Sequence, residues 1–128
     1  MANKPAKCIS PEKASKLQSK YVNTIEKALK KEFGKDFSHE FWWSVSELEE
    51  YIAYFKEEAK KKGYKELGLR FSLGKYEDDE KEGNISAFIR PTGMQESRVL
   101  TKTASSQIMI EDVDAYNDGH STWPPVGN

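Results

Sequence analysis

An acidic stretch near the C-terminal end of the chain has residue types that could bind a metal ion. The candidate ligands are Asp112, Asp114, Asp118 and His120. A calcium loop of the EF-hand type needs oxygen ligands at its first, third and fifth positions and a glycine at its sixth. Counted from Asp112, the fifth position is Tyr116, and Gly119 comes too late. The spacing therefore matches no calcium loop, and we expect no metal and no other cofactor.

Catalytic motifs are absent from the sequence. It contains no Gly-x-Ser-x-Gly elbow and no glycine-rich phosphate loop that opens a helix. His39 and His120 are its only histidines and Cys8 is its only cysteine, which is too few for a zinc site of the usual kind. We predict no catalytic residue. The interpretation leans toward a protein that is not an enzyme, with that question left open.

Two strand-like segments could bring arginines together. In residues 67–74 and 85–90, apolar side chains at odd positions alternate with mostly polar ones at even positions, which predicts two strands, at 67–76 and 85–90, each with one buried face. If the odd positions face the helices, the even positions share the other face. These even-numbered residues are Arg70, Ser72, Phe88 and Arg90. Such a face could hold an anion, a peptide or a planar ligand.

Aromatic residues extend this prediction. Trp42 would join the face if residues 41–43 form a strand of the same sheet, and Tyr116 and Trp123 of the tail could cover it. The predicted binding residues are Trp42, Arg70, Ser72, Phe88, Arg90, Tyr116 and Trp123. The structural alternative is that the arginines stack on aromatic rings or pair with carboxylates of the tail.

Two amphipathic helices must position these strands. Ser10 followed by Pro11 is a helix start, and the pattern predicts a helix over 10–33 that Gly34 ends, after a flexible arm at 1–9. Its apolar stripe consists of Ala14, Leu17, Tyr21, Ile25, Ala28 and Leu29.

The second helix has the stronger start signal. Ser44 and Glu47 have the spacing of a capping box, which predicts a helix over 45–62. Trp43 and Leu48 have the spacing of a hydrophobic staple, and Tyr51 flanks the stripe. The stripe consists of Val45, Leu48, Ile52, Phe55 and Ala59.

The order of elements predicts an α+β fold. The strands at 67–76 and 85–90 pair most simply as an antiparallel hairpin, and 98–102 and 107–111 are further strand candidates. We expect one domain over 10–128, a two-layer sandwich in which two main helices pack on one face of a small, mainly antiparallel sheet. The proline-containing tail from Asp112 onward is expected to be irregular.

Composition narrows the function classes. The 128 residues carry a net charge of −1, which gives no overall attraction to nucleic acid or to an anionic membrane. A single cysteine allows no disulfide within the chain. No signal-like or membrane-spanning apolar segment is evident, so we expect a cytoplasmic protein.

Several short motifs carry a resemblance. They are Trp42 to Ile52, Lys61-Lys62-Gly63, Gly68-Leu69-Arg70, and Asn117-x-Gly119 followed by Pro124-Pro125. Over roughly residues 40–125 the chain resembles a family of small bacterial hypothetical proteins. The resemblance implies a bacterial origin and no catalytic residue. Members often carry a cysteine near the proline pair, and this chain has none there, so no thiol or metal role of the tail is implied.

These observations favour a non-enzymatic binding or protein-interaction module that uses the sheet face around Arg70 and Arg90 and the C-terminal tail. The alternative is a small enzyme or small-molecule sensor with a pocket between that face and residues 112–120. The expected partner is a protein or a small anionic ligand, and both a monomer and a homodimer remain open.

Overall fold

The computed structural model describes residues 3–95 and 108–117 in full and residues 120–123 as backbone alone. The chain forms two compact units, one ending at Phe37 and the other beginning at Ser38. The helices and the antiparallel sheet confirm the predicted α+β class. A single domain across 10–128 stays a prediction. Among the described residues, none of the helices combines the length and the apolar character needed to cross a bilayer.

The elements lie close to where the sequence patterns predicted them. Helices α1, α2 and α3 span Pro11–Tyr21, Lys27–Phe33 and Val45–Lys61, with a π-helical turn at Val22–Glu26 and a 3₁₀ turn at Lys81–Gly83. Strands β1 to β5 span Glu40–Trp42, Tyr64–Lys75, Ile85–Gln95, Ile108–Met109 and His120–Trp123. The strand candidate at 98–102 lies outside the described residues.

The N-terminal unit is helical and carries the predicted caps. The Ser10 hydroxyl accepts a hydrogen bond from the Lys13 amide at 3.1 Å, and Gly34 ends α2 with a φ of 72°. The predicted continuous helix is interrupted by the π-helical turn between α1 and α2. The apolar stripe does not become a buried face: Leu17 is 58% exposed and Ile25 is 53% exposed. The apolar residues therefore follow the helical period here but are not buried.

Helix α3 begins with both bonds of the capping box. The Ser44 hydroxyl accepts from the Glu47 amide, and the Glu47 carboxylate accepts from the Ser44 amide, each at 3.0 Å. The buried residues of α3 are Tyr51, Phe55 and Ala59. Val45 and Ile52, expected in the buried stripe, are exposed. That part of the prediction was wrong because Tyr51 lies at the centre of the buried face and not on its flank.

Strands β2 and β3 form the predicted antiparallel hairpin, and β4 extends the sheet in the order β2-β3-β4. The predicted end of the second strand at Pro91 was too early, because β3 continues to Gln95. Pro91 lacks an N–H donor, yet its carbonyl accepts from the Ile110 amide at 3.0 Å. The proline thus contributes to the sheet through its acceptor alone.

The core lies between α3 and one side of this sheet. Ile89 is fully buried and belongs to the same cluster as the buried residues of α3, together with Ile110 and Val113. Leu67 and Leu69 pack against this cluster. Since side chains of a strand alternate between faces, the odd-numbered residues of the hairpin form its helix-facing side.

The tail contributes a second sheet. Strand β5 pairs antiparallel with β1, and Trp42 lies opposite His120. The prediction of a wholly irregular tail was therefore wrong. Four residues of extended chain have too little pattern to distinguish a strand from a loop, and the pairing joins segments far apart in sequence. Because β1 pairs with β5 and not with β2 or β3, Trp42 does not belong to the three-stranded sheet that carries the arginines.

Candidate anion-binding site

Two arginines lie directly opposite each other on neighbouring strands. The register of β2 and β3 pairs Arg70 with Arg90, next to the pair of Phe71 with Ile89. Because Ile89 is buried toward α3, alternation places both arginines on the other side of the sheet, where both are exposed. We call this side, the even-numbered residues 68–74 of β2 and 86–92 of β3, the arginine face.

No acidic side chain in the described part of the chain balances the charges of this pair. Within the described residues, neither guanidinium makes an ion pair or a side-chain hydrogen bond. In an antiparallel pair, the Cβ atoms of residues directly opposite each other lie about 4.5–5.5 Å apart. Like charges at this distance destabilise the sheet. The pair is therefore expected to lower the stability of the sheet.

One arginine of the pair, Arg90, contacts an aromatic ring. The Arg90 guanidinium carbon lies 5.0 Å from the centroid of the Phe88 ring, a cation–π contact. The same ring lies over Gly74, where an added Cβ would stand 3.2 Å from Phe88 Cε1. The predicted stacking of arginine on an aromatic ring thus holds for Arg90. Arg70 has no such contact among the described residues, and its side chain is exposed.

Ser72 and Phe88 complete the arginine face as predicted from alternation. They form the next cross-strand pair on the same side of the sheet as the arginines, and both are half-buried. A hydroxyl beside two guanidiniums adds a hydrogen-bond donor to a positively charged surface. Chemically, this arrangement can bind an anion. It offers hydrogen-bond donors and positive charge.

Tyr116, predicted to cover this face, lies elsewhere. Its ring stacks on Tyr51 of α3 with centroids 4.8 Å apart, and it packs against the core beneath α3. Its backbone forms a bridge to Ile89, with nitrogen–oxygen distances of 2.7 and 2.9 Å. Tyr116 is therefore part of the helix-facing side. Sequence reasoning could not place it because the contact joins segments distant along the chain.

Two tyrosines in this aromatic region have altered acidity. The Tyr51 hydroxyl donates to the Asp114 carbonyl oxygen at 2.8 Å. Burial, with smaller contributions from the neighbouring Tyr54 and Asp114, raises the pKa of Tyr51 to about 12. Burial likewise raises the pKa of Tyr116, with Glu47 and Glu50 adding to the effect. Both shifts favour the neutral phenol, which is consistent with a structural role for these two stacked rings.

The acidic stretch also lies along α3. Lys62 Nζ donates to the Asp112 carbonyl oxygen at 2.6 Å and lies 3.8 Å from its carboxylate, while Asp114 meets Tyr51 through its backbone. No hydrogen bond or ion pair between described residues joins either aspartate to Arg70 or Arg90. Residues 118–119 and the side chains of His120 and Trp123 lie outside the described part of the chain. In that part, no cluster of three or more His, Cys, Asp or Glu side chains is arranged to hold a metal ion.

Two exposed apolar residues were missed by the sequence reasoning. Phe71 is 62% exposed and Leu73 is 67% exposed, although both lie on the helix-facing side. The Phe71 ring meets Trp43 edge-on at a centroid distance of 6.4 Å. Alternation alone predicts which side a residue faces but carries no signal for how far along the strand the helix extends. Leu67 and Leu69 pack on the core, whereas the far half of β2 does not.

Comparison with protein-family models, with curated proteins and with solved structures finds no match to this chain. The geometry of its own residues is therefore the only guide to its function.

Proposed function

We propose that this protein is a binding module that recognises an anionic group, a phosphate or a carboxylate, through Arg70 and Arg90. The supporting observation is the direct cross-strand pairing of the two arginines on an exposed surface, with no acidic partner among the described residues. Like charges in this position repel each other. A bound anion would relieve that repulsion and would accept hydrogen bonds from both guanidiniums.

The local packing favours binding by a preorganised site. Contact with the Phe88 ring restricts the Arg90 side chain before any ligand arrives. Ordering a long side chain on binding typically costs about 0.5–1.5 kcal/mol, so a side chain already held loses less affinity to this cost. The planar guanidinium also matches the two oxygens of a carboxylate or phosphate edge. Arg90 would orient the anion and Arg70 would close on it.

The residue types of the arginine face favour binding over catalysis. In β2 and β3, its members are Gly68, Arg70, Ser72, Gly74, Ser86, Phe88, Arg90 and Thr92. This set supplies positive charge, hydroxyls and a ring. It includes no carboxylate or imidazole that could act as a general base. The described contacts of Asp112 and Asp114 to α3 give no support to an enclosed pocket between them and the arginines.

The direct test compares anion binding by the wild type with that by variants substituted in strand β2. Inorganic phosphate is titrated into the protein while the arginine side-chain Nε–H signals are followed by nuclear magnetic resonance. We expect Arg70→Ala to weaken binding by about tenfold or more, because a charge-assisted hydrogen bond contributes roughly 1.5–3 kcal/mol. Arg70→Lys should restore only part of the affinity, because it keeps the charge but not the planar fork.

Lys75→Ala is the matched control, because it removes a positive charge from the same strand on the opposite side of the sheet. It should bind phosphate as the wild type does. Thermal melting of Arg70→Ala should stay close to that of the wild type, because the side chain is exposed and lies opposite a like charge. Equal losses of phosphate binding in Arg70→Ala and Lys75→Ala would reduce the proposal to a general charge effect and overturn it.

A further inference from the structure

Strand β2 is an edge strand with its backbone groups directed outward. It spans Tyr64–Lys75 and stands at the end of the order β2-β3-β4, and no described strand pairs with its outer side. The backbone of Ile89 pairs with Tyr116, so odd-numbered residues of β3 direct their polar groups away from β2. Their partners across the register, including Phe71, must then direct theirs away from β3. The open edge of β2 therefore presents the N–H and C=O groups of Leu69, Phe71 and Leu73.

The two sides of this edge differ in chemistry. On one side stands Arg70, with Arg90 behind it on the next strand. On the other side stand Phe71 and Leu73, both more than 60% exposed, with Trp43 against the Phe71 ring. A strand added to this edge would alternate its side chains between the same two sides. One set would meet the arginines and the other would cover the exposed apolar residues.

We infer that the anion recognised by this protein is carried by an extended peptide, with acidic and apolar residues in alternation, which adds to the edge of β2 as a further strand. This inference rests on the proposed anion-binding function and names the partner class of that site. Main-chain hydrogen bonds to the odd-numbered residues of β2 supply affinity that is independent of sequence. The alternation of acidic and apolar side chains supplies specificity.

Charge favours such a peptide over a second copy of this chain. From Leu67 to Lys75, β2 carries Arg70 and Lys75 and no acidic residue. Antiparallel pairing of two β2 strands centred on Arg70 would place this arginine opposite its own copy. It would thus extend the existing pair into a row of four guanidiniums. Like charges directly opposite each other are unfavourable, and positive charge on an edge opposes self-association. An acidic strand would instead place opposite charges across from each other, and the positive charge of the edge would attract it.

Synthetic peptides of equal composition test the inference. The probe is an eight-residue peptide of alternating glutamate and valine, with blocked ends. Its matched controls are a peptide with the four glutamates and four valines in separate blocks, and the alternating peptide with every second amide N-methylated. We expect the alternating peptide to bind at least about tenfold more tightly than either control. The amide protons of Leu69, Phe71 and Leu73 should gain protection from hydrogen exchange when it binds.

Protein variants separate this inference from the anion site on which it depends. Phe71→Ala should weaken peptide binding by about tenfold while leaving phosphate binding unchanged, because the ring lies on the side away from Arg70. Leu73→Ser is a second variant of the same side, should Phe71→Ala disturb folding. Arg70→Ala should weaken the binding of both probes.

Four results would overturn the inference. One is equal binding of the alternating peptide and the peptide with glutamates and valines in separate blocks. Another is that the amides of Leu69, Phe71 and Leu73 gain no protection while phosphate still binds at Arg70. In either case strand addition is wrong and the anion site stands. If the protein alone forms a dimer with these amides already protected, a second copy occupies the edge. If neither phosphate nor any peptide binds, the proposed function fails together with the inference.

Discussion

The two helical regions of this protein carry the same signals in sequence and differ in burial. The N-terminal region, α1 with the π-helical turn and α2, begins at a serine cap and has an apolar stripe, as does α3. Yet α1 buries none of its residues, whereas α3 buries Tyr51, Phe55 and Ala59. Caps and periodicity thus specify where a helix forms. They do not specify how much of its apolar face is removed from water.

The apolar faces of the two regions also differ in the side chains they contain. The buried face of α3 includes the aromatic residues Tyr51 and Phe55, and Tyr51 both stacks on Tyr116 and donates a hydrogen bond to the Asp114 carbonyl oxygen. The stripe of the N-terminal region is mostly aliphatic, and Leu17 and Ile25 remain more than half exposed. Large aromatic side chains bury more surface and make directional contacts. Substitutions in the two stripes should therefore have unequal effects.

The largest expected effect is that of Phe55→Ala. This ring is 2% exposed and lies within the core cluster, so its removal should lower the free energy of unfolding by about 3–5 kcal/mol. Leu17→Ala removes an apolar residue from the corresponding stripe of α1, where it is 58% exposed, and should change the free energy of unfolding by less than about 1 kcal/mol. Urea denaturation followed by circular dichroism measures both. Equal losses would show that the two stripes are equally important for stability.

A second prediction concerns Tyr51 and high pH. Its pKa of about 12 in the folded protein exceeds the value of about 10 for an exposed tyrosine, so folding favours the protonated phenol. The resulting stability is fully present below pH 10 and is lost as the pH rises from 10 to 12. Tyr51→Phe should be less stable than the wild type at pH 8, because it lacks the hydrogen bond to Asp114. Its deficit should shrink as the pH approaches 12, because only the wild type carries this phenol. Urea denaturation at each pH measures the free energy of unfolding of both proteins. A difference that stays constant from pH 8 to 12 would contradict the role assigned to Tyr51.

Much of the α+β arrangement was readable from the sequence because its signals are local. The capping box at Ser44 and the alternation in the hairpin depend on neighbours a few residues apart, and both appear as predicted. Alternation also predicted that Arg70 and Arg90 share one face of the hairpin, but their direct opposition depends on the strand register, which alternation does not predict. Whether these residues bind a ligand stays a prediction.

The features that were missed depend on contacts between distant segments. Tyr51 is central because Tyr116 stacks on it, and β5 forms because it pairs with β1. Phe71 and Leu73 are exposed although alternation places them on the helix-facing side. The π-helical turn at Val22–Glu26 breaks a stripe that reads as continuous. A single sequence contains the side-chain patterns but not the pairings that decide these outcomes.

The smallest difference we predict separates the two serine caps. Ser44→Ala removes the capping hydroxyl that accepts from the Glu47 amide and should lower the free energy of unfolding by about 1 kcal/mol, because α3 carries core residues. Ser10→Ala removes the bond from the Lys13 amide at the start of a helix with no buried residue. It should leave the free energy of unfolding within about 0.5 kcal/mol and speed hydrogen exchange at Lys13. Ser44→Asp keeps a capping oxygen and should regain most of the loss. If Ser10→Ala costs as much as Ser44→Ala, the N-terminal helix unfolds in one cooperative step with the rest of the protein, and low burial in α1 is no guide to its contribution to stability.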